Sequence, residues 1–460
     1  MGARNRFSFL FAAVALLTTL TGVSGCQRAQ DSAAVADRVR DQLLDARSGS
    51  TIKIPAGRFH FDQGLIVRGE HITIRGAGKE RTILSFAGQK VGPEGIVAQG
   101  KDIRLEGFTV EDTAGTGIKV NDTDNVVIRG VQARWTRLPV TSHGAYGIYP
   151  VNSHHVLIED SEAHGATDSG VYVGASTDIV VRRNLASENV VGLEIENSQR
   201  ADVYANTATG NTAGILVVNL PDLPQEGRGT RVHDNTIQTN NLANFAAQGE
   251  LVSNVRGGIG VLVESNKDTE IFDNNITENH TANIWVESFL TIEGVWIRTA
   301  GSNPLEKAAN AKYDPYPRHT SIHDNRFAGG GDEPTGADLQ QVRTRLFPNG
   351  HFPNIVWDGY LPPGASIATT QPICTGSHAE AVLILDLPNS FRDAVAKTEP
   401  FDCTLPPLPA SQTDHAAGRA HELTRRWETA HLHCALFGSV IEAREGGCWP
   451  RTVRDPTADT

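Results

Sequence analysis

The chain has 460 residues, 45 of them glycine, few aromatics and a net charge of −12. That length allows one elongated domain or two to three compact ones. The acidic balance argues against a nucleic-acid partner, which requires a basic face, and disfavours a polyanionic substrate unless a local basic patch overrides the mean field.

The N-terminus, MGARNRFSFLFAAVALLTTLTGVSGCQ, has a positive start at Arg4 and Arg6, then an apolar run from Phe7 to Val23 too short for a membrane span. It ends in Val23-Ser24-Gly25-Cys26, which resembles the lipobox of bacterial lipoproteins. Residues 1–25 are therefore expected to be a signal peptide, and Cys26 a lipidated N-terminus that anchors the chain in the cell envelope. With no Asp after the Cys, the resemblance implies the outer membrane or the periplasm of a Gram-negative cell. Met1 is the only methionine, which excludes Met-based copper handling.

Residues 26–50 read as a linker and an amphipathic helix, with Val35, Val39 and Leu43 at i, i+4 and i+8. A helix there would cover the exposed strand edge of whatever follows.

From 51 to 330 the chain repeats. Gly-led apolar runs begin at Gly117, Gly147, Gly170, Gly192, Gly214 and Gly260, with spacings of 23, 22 and 22 residues between 147 and 214. A second register carries Asn184, Asn206, Asn235 and Asn274, each with another Asn five positions on. Short period-2 strands punctuated by Gly and Asn at this period signal a solenoid. The leucine-rich repeat pattern is absent. The expected fold is all-β: a right-handed parallel β-helix of three-strand coils, with apolar residues inward and asparagines stacked at the turns in left-handed backbone geometry.

Alternation assigns faces within each Gly-led strand. Glu194 and Glu196 point outward in GLEIE. The same outward strip holds Lys119, Tyr149 and Tyr172 before it and apolar Leu216, Val218 and Leu262 after it. Two long excursions, near 137–145 and within 214–260, are expected to wall a groove over the Gly170–Gly214 coils. Such a groove suits a polysaccharide. Tyr149 and Tyr172 offer stacking faces, and Asp168 and Asn197 offer polar contacts. Glu194, Glu196, Lys119, Tyr149, Tyr172 and His143 are the candidate catalytic residues. Two carboxyls serve hydrolysis; a base plus a cation serves a lyase or epimerase. No cofactor is certain; Ca²⁺ on Glu194, Glu196 or Asp168 is the one candidate, as an all-oxygen site.

After 330 the period fades, and 331–410 reads as an irregular segment packing on the β-helix. Residues 411–460 read as a helical extension, with a helix over 413–445, and a tail. Four further cysteines, Cys374, Cys403, Cys434 and Cys448, suggest two disulfides. Of three pairings, Cys374–Cys403 with Cys434–Cys448 is the simplest.

GAYGIYPVNSHHVLIEDS, GVYVGAS, GLEIENSQRADVYANTATGNTAGILVVNLPDLPQ and the closing FDCTLPPLP together resemble a family of exported bacterial parallel β-helix repeat proteins, over roughly residues 35–410. The family has no settled biochemical function and tends to occur with a second exported protein. The resemblance thus implies a partner protein as the alternative to a glycan, with this chain a non-catalytic envelope scaffold. More broadly the fold is similar to that of pectate lyases and polyuronate epimerases, which by itself fixes no function.

Overall fold

The computed structural model describes residues 32–292, 313–376, 380–411 and 413, and the backbone of 441–444 and 447–450. The expected signal peptide, lipidated Cys26 and the Cys434–Cys448 pairing lie outside the described residues. The chain divides into two units, Met1–Ser411 and Gln412–Thr460.

The first unit is the β-helix. Each coil contributes three strands, and each strand pairs in parallel with its equivalent in the next coil. The Gly-led column runs through Ile118–Asn121, Ile148–Val151, Ser169–Gly174, Val191–Glu196, Ala213–Val218, Ile259–Glu264 and Ala282–Glu287. A second column runs from Thr51–Lys53 through Gln199–Tyr204 to Arg318–His323. A third, from Gly57–His60 to Arg326–Ala328, forms a separate ten-stranded sheet. Inward Val, Ile, Leu and Ala from all three columns make one continuous core. Each fully buried aliphatic side chain stabilises it by roughly 1.5–3 kcal/mol.

Asparagine columns close the bends. The backbone N–H and the side-chain Nδ2 of Asn184 both donate to Asn206 Oδ1 at 3.0 Å, and Nδ2 also donates to Ile158 O at 3.0 Å. Asn206, Asn235 and Asn274 repeat this onto the next Asn. A parallel column links Asn189, Asn211, Asn240 and Asn279. The left-handed backbone does not fall on these asparagines as expected. It falls one residue earlier, at Arg183, Ala205, Asp234 and Asp273, because the Asn must aim its amide along the stack while the chain reverses just before it. A third column, of hydroxyls at Thr123, Ser153, Ser176 and Ser198, closes the bend between the first two strands.

The N-terminal helix occupies 32–44 and buries Ala36, Val39 and Leu43 against the core, with Val35 half-buried beside them. The segment after 330 is less irregular than its sequence suggests. Ile355–Trp357 and Val382–Ile384 continue the Gly-led column, and Ile373–Cys374 continues the second. Their insertions, including the helix Ala337–Leu346, hide the period. Cys374 and Cys403 form a disulfide. Antiparallel Val395–Lys397 ends the sheet. In the second unit, Ile441–Arg444 pairs antiparallel with Gly447–Pro450, correcting the helix expected up to 445; Val440-Ile441 and Gly446-Gly447 suit a hairpin better. Among the described residues no helix is long and apolar enough to cross a membrane.

Truncating Asn206 to Ala leaves buried donors and acceptors of two neighbouring coils unpaired, and is expected to lower unfolding free energy by about 2–4 kcal/mol. Urea denaturation measures this; a loss below about 0.5 kcal/mol would show that the amide column is dispensable.

Candidate functional site

The outward strip of the Gly-led column is continuous in register. Lys119 lies beside Tyr149, Tyr172 beside Glu194, Glu194 beside Leu216, then Leu262 and Trp285. The parallel strip sets Gly174 beside Glu196, then Val218, Glu264 and Glu287. Neighbouring rungs are about 4.8 Å apart.

Exposure falls along this strip. Ile66 at its start is 53 % exposed, Lys119 and Tyr149 are half-buried, and Tyr172, Glu194 and Leu216 are 5 %, 7 % and 3 % exposed. The groove is therefore open over the N-terminal rungs and roofed over the Gly170–Gly214 coils, where an open one was expected. The open part, 500 Å³, is lined by Ile66, Arg68, Glu94, Val97, Lys119, Asn121, Asp122, Val151 and Asn152. The roof comes from the chain itself. Residues 242–257 fold back over the sheet, braced by Asn244 Nδ2 on the carbonyls of Val252 and Val255 at 3.0 and 2.9 Å. Arg256 ties the loop to Asp338. Leu216, Val218, Leu262 and Trp285 pack beneath it with Val255, Leu339 and Val342, which accounts for apolar residues on an outward face.

Under the roof lies a chamber of 190 Å³ lined by Tyr146, Asp168, Glu194, Glu196, Leu216, Val218, Leu251, Val252, Val255, Glu264 and Ile292, among others. At that size it holds one small ring rather than a chain; whole-ligand pockets run to about 300–1,000 Å³. Ser169 Oγ donates toward both Asp168 and Glu194, which share it. Tyr172 OH donates to Glu196 Oε1 at 2.7 Å. Gly174 makes this reach achievable: a Cβ there would lie 2.2 Å from the Tyr172 hydroxyl. Tyr149 and Tyr172 stack on each other at 4.6 Å, Tyr146 leans on both, and Lys119 covers the Tyr149 ring at 5.9 Å. The two tyrosines expected as sugar platforms are thus largely used by one another.

Two other candidates are placed elsewhere. His143 stacks on Trp135, and its Nδ1 contacts Gly165 O at 2.8 Å. Asn197 is buried at a left-handed bend, and its amide bonds Asn219, Gln225 and both backbone groups of Leu220, so it fastens the 220–227 loop rather than facing the groove. Sequence reasoning missed Tyr146, Glu287 and Asp358. The signal for Glu287 is in the strand: GLEIE, GVLVE and NIWVE all end in Glu at one offset, but Asn283 replaces the leading glycine.

Burial dominates the electrostatics. It raises Asp168 to about 6 and Glu196 to about 7, the latter partly offset by the Tyr172 hydrogen bond. Glu194 and Glu264 rise well above the carboxylate range by burial and by repulsion from neighbouring acids. Further along, burial and Asp358 lift Glu287 to about 8, although Trp285 Nε1 donates to it at 2.8 Å. Asp358 rises to about 6 by burial. A carboxyl that keeps its proton near neutrality can act as a general acid. Among the described residues no group of three or more His, Cys, Asp or Glu is placed to hold a metal ion.

The folded chain retains protons on these acids that the unfolded chain releases. Their contribution is therefore complete below the ordinary carboxylate pKa and is lost as pH rises through the folded values, between about 4.5 and about 8. Stability should fall across that window, and Glu287→Gln should flatten the fall and stabilise the protein at pH 8.5 by on the order of 1–3 kcal/mol. Urea titrations at pH 5 and 8.5 decide it; parallel pH profiles for the two proteins would contradict the assignment.

Residues 71–224 match the family model described as right handed beta helix region. No curated protein matches the chain in sequence. Among solved structures, a mannuronan C-5 epimerase A-module of Azotobacter vinelandii is similar at 16% identity, covering 64% of this chain and 84% of that one, with a TM-score of 0.36. A periplasmic alginate epimerase has 14% identity, 62% and 75% coverage and a TM-score of 0.36. The enzymatically active domain of tailspike protein 2 of bacteriophage CBA120 has 13% identity, 63% and 40% coverage and a TM-score of 0.42. The chain is a right-handed parallel β-helix protein, and residues 71–224 of it are the stretch that the family model covers.

Proposed function

We propose that the protein is lipid-anchored in the cell envelope through Cys26 and binds an extracytoplasmic polysaccharide along the Gly-led strip. One ring of the glycan enters the roofed chamber, where buried carboxyls can process it. The observation that carries this reading is the continuity of a single strip. It is open and polar at Arg68 and Lys119, and it passes rung by rung into a ring-sized cavity floored by Asp168, Glu194 and Glu196. Of the chemistries available, acid–base work by Glu196 and its neighbours fits better than lyase or epimerase chemistry. The latter needs a cation beside the carboxyls, and Lys119 is three rungs, about 14 Å, from Glu194.

The test is a glycan panel screened against the soluble mature domain with and without Ca²⁺, following both binding and product formation. Lys119→Ala should weaken binding about tenfold by removing an open-groove contact. Glu194→Gln with Glu196→Gln should abolish turnover. If the wild type binds glycan and the double variant changes neither binding nor product, the chamber has no part in the activity. For the anchor, Cys26→Ser should move the protein from the membrane to the soluble fraction and stop incorporation of labelled palmitate; retention with label would refute lipidation at Cys26.

One observation favours a second reading, a non-catalytic scaffold acting with a second exported protein: the C-terminal half of the strip is sealed by the chain's own loops. A pulldown from envelope extract that recovers one stoichiometric partner, together with an empty glycan screen, would establish it.

A further inference from the structure

Resting on the glycan reading, we propose that the roofed chamber selects a ring bearing a free ammonium group, so that the substrate class is a basic, amine-bearing polysaccharide rather than a polyuronate.

Several other buried acids of this fold are neutralised by arginine. Glu159 is fully buried and held by Arg129, Arg182 and Arg183. Glu111 is fully buried between Arg58 and Arg134. Asp202 has Arg231 at 2.7 Å. The chamber acids differ. Among the described residues, Asp168, Glu194, Glu196 and Glu264 form no ion pair, and no Lys, Arg or His lines the cavity. Glu264 is 2 % exposed, lines the chamber, and its Oε1 has no hydrogen-bond partner. A buried acceptor left unpaired costs about 1–3 kcal/mol, so a site retaining one has a donor to receive.

The shape of the cavity selects among donors. Ca²⁺ requires six to eight oxygens at about 2.3–2.6 Å, and no described acids are grouped closely enough to hold a metal. An ammonium needs only three acceptors spread around one nitrogen. Asp168 and the Glu194–Glu196 pair come from adjacent coils and Glu264 from two rungs beyond Glu196, so the acceptors are too spread for a metal shell but border the space an ammonium would enter, while Leu216, Val218 and Val255 face the C–H surface of the ring. A uronate would bring a like charge into the acids and is disfavoured. Protons relieve the same repulsion when the chamber is empty, consistent with the raised carboxyls there.

The experiment is calorimetric titration at pH 6.5 with three tetramers, β-1,4-linked glucosamine, its fully N-acetylated counterpart and oligogalacturonate, plus CaCl₂ alone. The glucosamine tetramer should bind at least about tenfold more tightly than the acetylated one, with galacturonate weakest. Glu264→Gln should erase that preference, and Asp168→Asn, an independent isosteric change, should reduce it. Equal binding of the amine and acetylated tetramers overturns the amine selectivity and leaves the glycan reading intact. Stoichiometric Ca²⁺ binding lost in Glu264→Gln overturns it in favour of a cation site. No binding of any tetramer overturns the selectivity, and an empty wider panel overturns the glycan reading with it.

Discussion

The structure depends on one constraint: every coil must satisfy its polar groups with the coil above and below. Strand N–H and C=O groups do so through parallel ladders, and the bends do so through columns of asparagine and serine. Because each Asn both donates to and accepts from its equivalents, the columns fix the register of adjacent coils. A register slip would unpair buried amides in series, and buried unpaired amides are costly. This fixed register turns an alternating sequence into straight outward strips.

A strip so built concentrates whatever its rungs carry. In the Gly-led column the outward residues change from basic and aromatic to acidic and then apolar. The long insertions follow that change, rising over the acidic and apolar rungs and leaving the basic ones open. The roof creates the unusual electrostatics. Glu194, Glu196 and Glu264 on a bare β-helix would be ordinary surface carboxylates. Beneath residues 242–257 they lose water without gaining a cation, which is why they hold protons. Glu159 and Glu111, by contrast, are buried with arginines.

Much of this is legible in the sequence. The 22-residue spacing, the paired asparagine registers and the alternation in GLEIE give the coil, its three strands and the outward direction of Glu194 and Glu196. The outward column from Lys119 to Leu262 is read rung for rung, because a strand's period of two and a repeat's period leave no freedom. Legibility fails where insertions break the count. Ile355–Trp357 and Val382–Ile384 continue the column unseen, and Glu287 is hidden by Asn283 in the glycine position. Tyr146 escaped because it belongs to an excursion and not to a strand.

The sequence by itself determined the coil, the inward core and the identity of the outward residues from Lys119 to Leu262, because those follow from local periodicities that each strand repeats. Only the tertiary structure decided which of those residues meet water. Whether Tyr172 is a free face or a hydrogen-bond donor, whether Asn197 meets a ligand or a loop, and whether Glu194 is a solvated carboxylate or a buried acid depend on where residues 220–227, 242–257 and 337–346 come to rest. That placement is set by contacts across long sequence separations, such as Arg256 with Asp338, and no local period encodes them.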